Sequence, residues 1–117
     1  MSRYLAFWKY EDGVNLNHQE VYEKVCCNEL AMNGLVELTI ADILRCVNEN
    51  FTDWDKLDDY NFESANGAFT IITTKQSVLF DCSDSMQDED LNRLTDIMLL
   101  FDCPLYDPQI EVRFDGK

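Results

Sequence analysis

Residues 49–63 carry six carboxylates, those of Glu49, Asp53, Asp55, Asp58, Asp59 and Glu63, against one cation, Lys56, a local net charge of −5. Threaded among them are Phe51, Trp54, Leu57, Tyr60 and Phe62. A second acidic group follows at Asp84, Asp88, Glu89 and Asp90. Clustered carboxylates can shuttle protons, hold a hard cation or pair with a basic surface. Proton work of the glycosidase kind needs two carboxyls facing each other across a substrate cleft, and these acids fall on predicted surface turns. A calcium loop needs Gly at its sixth position and Glu at its twelfth. The run that starts Asp81-x-Ser83-x-Ser85 has Met86 and Asn92 there. Pairing with a basic surface needs only what is present. Carboxylates meet Lys and Arg and speed association, while rings serve as buried anchors.

The expected partner-binding residues are therefore Asp53, Trp54, Asp55, Asp58, Asp59 and Tyr60, with Asp84, Asp88, Glu89 and Asp90. Two bland explanations compete. Trp54 and Leu57 would fill the core while the acids face water. Asp88, Glu89 and Asp90 would complement a helix dipole, each by ~0.3–1 kcal/mol when exposed. The first segment lacks the second excuse, because acids after a helix C-terminus oppose the dipole.

Other chemistry is poorly provided for. His18 is the sole histidine, so any serine or cysteine nucleophile would depend on it. The four glycines are scattered, with no phosphate-cradling loop. No enzyme activity, cofactor or metal site is expected. Five cysteines, Cys26, Cys27, Cys46, Cys82 and Cys103, make an odd count with no Cys-x-x-Cys. Arg3 and Lys9 interrupt the N-terminal stretch too early for an export signal, and no apolar run approaches the ~20 residues of a membrane span. Free thiols in a reducing cytoplasm are expected. The net charge of −14 disfavours direct contact with nucleic acid or anionic membranes. It points to a basic protein partner.

The elements that must position these groups follow from periodicity. Across residues 3–10, Leu5 and Phe7 point one way and Tyr4, Ala6, Trp8 and Tyr10 the other, the pattern of an interior strand. Asn17 with Glu20 and Thr39 with Asp42 are capping-box pairs that start two helices. Phe69 and Ile71, then Val78, Phe80 and Cys82, mark a hairpin across Lys75 and Gln76. Leu91, Leu94, Ile97, Met98 and Phe101 stripe a helix from Ser85 to about Asp102. Pro104 and Pro108 bracket a turn, and Ile110, Val112 and Phe114 alternate inward in a last strand. The expectation is one α+β domain over residues 1–117. Its order is β-α-α-β-β-α-β, with a four-stranded, single-layer, mainly antiparallel sheet and helices on one face, a variant of the ferredoxin-like split β-α-β pattern.

The stretches FWKYEDGV, residues 7–14, and LFDCPLYDPQIEVRFDG, residues 100–116, resemble small acidic bacterial immunity proteins of secreted toxin systems. The resemblance implies a protein that covers a nuclease toxin's active site or a surface its substrate needs, with carboxylates in place of phosphates. A nucleic-acid mimic acting on another basic protein, of anti-restriction or anti-CRISPR type, is the alternative. A carboxylate-rich metal protein or enzyme is the third reading.

Overall fold

The computed structural model describes residues 3–114, and among them it shows three α-helices and a seven-stranded antiparallel sheet. In chain order the strands are β1 (Arg3–Phe7), β2 (Asp55–Lys56), β3 (Asn61–Ser64), β4 (Gly67–Thr73), β5 (Val78–Cys82), β6 (Leu105–Asp107) and β7 (Val112–Phe114). The helices are α1 (His18–Val21), which runs on into a π-helical segment (Tyr22–Cys27), α2 (Ile40–Asn50) and α3 (Asp88–Leu99). Across the sheet the order is β2-β3-β4-β5-β1-β6-β7.

β1 is an interior strand, as its two apolar faces require. Leu5 and Phe7 join a cluster with Ile43 and Val47 of α2 and with Leu91, Leu94, Ile97 and Met98 of α3. Ala6, with Trp8 just beyond the strand, joins a separate cluster with Val21, Val25, Cys26, Leu79 and Tyr106. Helices therefore pack on both faces of the sheet, and the expected single helical layer is corrected. A strand apolar on both sides leaves one side wet unless each is covered.

The expected four strands are corrected to seven. β2 and β3 fold from the acidic segment, and β6 forms between the two prolines. These strands have only two to four residues, too few for a period-2 signal to stand out. One part of the split β-α-β pattern is present. β5 and β6 are joined through α3, and both pair antiparallel to β1, which lies between them. The rest of the topology departs from that pattern.

Local signals fared unevenly. The Asn17 side chain accepts from the Glu20 N–H at 2.9 Å, as a cap should. Thr39 makes no such bond, and Asp42 instead pairs with Arg45 at 2.6 Å. α3 begins at Asp88, behind Gln87, rather than at Ser85. The inward face assigned to the last strand is reversed. Val112, Phe114 and the preceding Ile110 are exposed. Arg113 turns inward, its guanidinium 4.6 Å from the Tyr10 ring and 5.6 Å from the Trp8 ring, and it donates to the Trp8 carbonyl at 2.8 Å. Aromatic faces attract a guanidinium, and the apolar side chains on the other side of this strand, Val112 and Phe114, stay exposed. All five cysteines are free. Among the described residues no helix is long and apolar enough to cross a membrane.

Candidate acidic interface

The acidic segment leaves α2 at Phe51, and its rings turn inward. The Phe51, Trp54 and Phe69 rings meet with centroids 5.0–5.5 Å apart. Trp54 is buried in this cluster, so its ring is not on the surface where a partner's contacts would be made. Leu57 and Tyr60 remain exposed at the β2–β3 turn.

The carboxylates between the rings have distinct tasks. Asp58 accepts from the Tyr60 N–H at 2.8 Å and from the Asn61 side chain at 3.0 Å, which holds the turn. The bond from Tyr60, then that from Asn61, holds the Asp58 carboxyl below the usual aspartate range. Asp59 pairs with Lys56 at 2.9 Å. Asp53 pairs with Arg93 at 3.1 Å, and the Arg93 hydrogen bond lowers its pKa. Arg93 lies 4.1 Å over the Phe51 ring, donates to the Asn50 carbonyl and also reaches Asp90 at 3.3 Å. One guanidinium thus joins the two acidic groups that are about forty residues apart in sequence. Asp84, Asp88 and Glu89 are exposed. The loop that carries Asp84 is pressed onto β4. A Cβ on Gly67 would lie 2.7 Å from Met86 Cγ and 3.1 Å from its Cα.

Strand register adds an arrangement that spacing alone did not disclose. Asp55 stands directly opposite Glu63, and Glu63 opposite Ala68. Asn61 faces Thr70, Thr70 faces Asp81, and Asp81 faces Tyr4. Residues opposite one another, and residues two apart on a strand, share a face. Asp55, Glu63 and Asp81 therefore lie on the α1 side of the sheet. The apolar cluster under α1 takes in Ala6, Ile72, Leu79 and Tyr106. It stops short of β2 and β3, where Asp55 and Glu63 are exposed and Asp81, Asn61 and Thr70 half-exposed.

Of the expected residues, Asp53 and Asp90 meet at Arg93, while Asp55 joins the open face. Glu63 and Asp81 belong to that face and were missed as site residues. Asp81 carried a signal, since its neighbours Phe80 and Cys82 alternate inward. Glu63 belongs to a four-residue strand that no turn motif announces. His18 is packed among rings, its Nδ1 2.7 Å from the Tyr10 hydroxyl and its ring stacked on Tyr10 at 5.7 Å. Among the described residues no three ligand side chains converge on a metal position. What the acidic face can do is meet cations across strands spaced by ~4.8 Å. No protein-family model matches the chain, and no curated protein matches it.

Proposed function

We propose that this chain is a non-enzymatic acidic binding protein whose partner is a basic protein. Within that class we propose an immunity protein that neutralises a nuclease-type toxin by covering its active or substrate-binding surface. The observation that carries the binding reading is the Asp55–Glu63 pair with Asp81 on the same open face. Like charges directly opposite on paired strands are destabilising. A lysine or arginine inserted from a partner converts that repulsion into attraction, and the exposed Leu57 and Tyr60 offer apolar contact at the turn. The toxin part rests on the resemblance of residues 7–14 and 100–116 to immunity proteins.

The test is capture of a basic protein on the immobilised chain, followed by association kinetics across a salt series. The variant Asp55→Asn, Glu63→Gln, Asp81→Asn should associate about tenfold more slowly or worse, while its fold is kept or strengthened. Association that ignores both salt and the triple change would sink the binding reading. A captured partner with no toxin activity would remove the immunity part alone.

A further inference from the structure

The sequence holds two Asn-Gly pairs, Asn33–Gly34 and Asn66–Gly67. Asparagine before glycine has a reaction open to it that needs only water. The glycine amide nitrogen bonds to the asparagine Cγ, the Cγ–Nδ2 bond breaks, and ammonia leaves as a cyclic imide closes. Water then opens the ring at either carbonyl. One opening leaves aspartate. The other leaves isoaspartate, whose main chain runs through Cβ and Cγ and is longer by a carbon. The reaction needs an accessible carboxamide, a following residue with no Cβ to crowd the approach, and a glycine nitrogen that no hydrogen bond holds.

Both asparagines are exposed in turns, so exposure does not separate them. Their glycines do. Gly67 is the first residue of β4 and stands opposite Ser64, closing a two-residue hairpin. Successive strand residues bond to neighbours on opposite sides. The Ala68 N–H donates to the hydroxyl of Ser83, just beyond β5, at 3.0 Å, and its carbonyl accepts from the Ser83 N–H at 2.9 Å. Gly67 therefore directs its N–H across to the Ser64 carbonyl, and Met86 crowds it from the β5 side. Gly34 has no such ladder. It follows Asn33 in the turn between Met32 and Leu35, at φ +96°, and its carbonyl accepts from the Glu11 N–H at 2.8 Å. Among the described residues nothing accepts from its own N–H. We propose that Asn33 is a site of spontaneous deamidation in the folded chain, and that Asn66 is shielded from the same chemistry.

The product changes the structure around it. The Gln76 carboxamide spans the Asn33 turn. Its Oε1 accepts from the Met32 N–H at 2.9 Å, and its Nε2 donates to the Met32 carbonyl at 2.9 Å and to the Leu35 carbonyl at 3.3 Å. Leu35 is buried in the cluster under α1. Isoaspartate at position 33 lengthens the main chain between the two residues that one carboxamide holds, so the three bonds are not kept together. The turn then releases Gln76, and Leu35 loses that anchor. The aspartate product keeps the backbone and adds one negative charge to a chain already at −14.

Ageing the full chain at mildly alkaline pH, in water enriched in heavy oxygen, tests this, with peptide mapping by mass spectrometry at intervals. The heavy oxygen marks conversion during ageing rather than before it. The Asn33 peptide should convert to aspartate and isoaspartate about tenfold faster than the Asn66 peptide or more, because Gly67 must first leave the ladder by local opening. In urea, where neither turn persists, the two should convert at similar rates. Asn33→Gln, at an exposed position, should abolish the first signal with an unchanged circular dichroism spectrum, since ring closure through the longer side chain is slow. Hydrogen exchange at the Met32 amide should quicken in the isoaspartate form alone. Equal rates in the folded chain, a faster Asn66, or an Asn33 that persists while the urea-unfolded chain converts would overturn the site. A Met32 amide still protected beside isoaspartate would overturn the release of Gln76.

Discussion

Arg93 ties Asp53 to Asp90 while its plane rests on Phe51, and its hydrogen bond favours the charged form of Asp53. Asp53 and Asp58 have folded-state pKa values below the aspartate value of about 3.9 expected when unfolded. A depressed carboxyl contributes stability above its unfolded pKa and loses it as pH falls through the folded value. Carboxyl-carbon NMR should show both midpoints below the ordinary aspartate range. Arg93→Gln should raise the Asp53 midpoint and leave that of Asp58, whose partners are Tyr60 and Asn61. Neighbouring rings divide as sharply. Trp54→Ala should destabilise the fold by ~3–5 kcal/mol, whereas Leu57→Ala, on the exposed turn, should change it by less than ~0.5 kcal/mol in urea denaturation. The thiols sort by burial in the same way. Burial pushes Cys26 and Cys82 up to about 12 and Cys103 to about 11. Since the thiolate is the reactive form, iodoacetamide should label the exposed Cys27 first. Those three should react only on unfolding, and mass spectrometry reads the order.

Each element is set by the face it must bury. α3 presents Leu91, Leu94, Ile97 and Met98 to the sheet, and Leu94 and Met98 are fully buried. Leu94→Ala and Met98→Ala should each destabilise by ~2–5 kcal/mol in chemical denaturation, since each leaves a cavity under the helix. Its acidic first turn suits the helix dipole, so Asp88 and Glu89 have a structural role whether or not a partner meets them. β6 shows how a side chain can extend a short strand. Beyond it the Gln109 carboxamide accepts from the Tyr4 N–H at 2.8 Å and donates to the Tyr4 carbonyl at 3.2 Å. It stands where another β6 residue would pair with β1. Three strand residues and one amide thus cover a β1 edge that the sequence marks only by two prolines.

At the scale of the molecule, the open acidic face by β2 and β3 and the exposed Val112 and Phe114 of β7 lie at opposite ends of the sheet. A net charge of −14 makes the compact state repel itself. Salt screens that repulsion over ~8 Å or less at physiological strength and above, so urea midpoints should rise from low to high NaCl. A falling midpoint would mean that ion pairs such as Arg93–Asp53 outweigh the repulsion.

What the sequence determined by itself is what depends on neighbours along the chain. Period-2 alternation identified β1 as interior, and the 3.6-residue stripe located α3 and its buried residues. Asn17 was recognisable as a cap because its partner is three residues away. Tertiary structure decided everything that depends on which strand lies beside which. Helices on both faces, the inward turn of Arg113 and the burial of Trp54 against Phe69 all follow from long-range packing. So does the Asp55–Glu63–Asp81 face, whose members come from three strands. A strand of two to four residues has too few side chains to declare its face, and register is set by the whole sheet. The acids were legible as an excess of charge in two stretches. Which of them Arg93, Lys56 or a turn would neutralise, and which would remain facing outward, was settled only when the sheet brought them together.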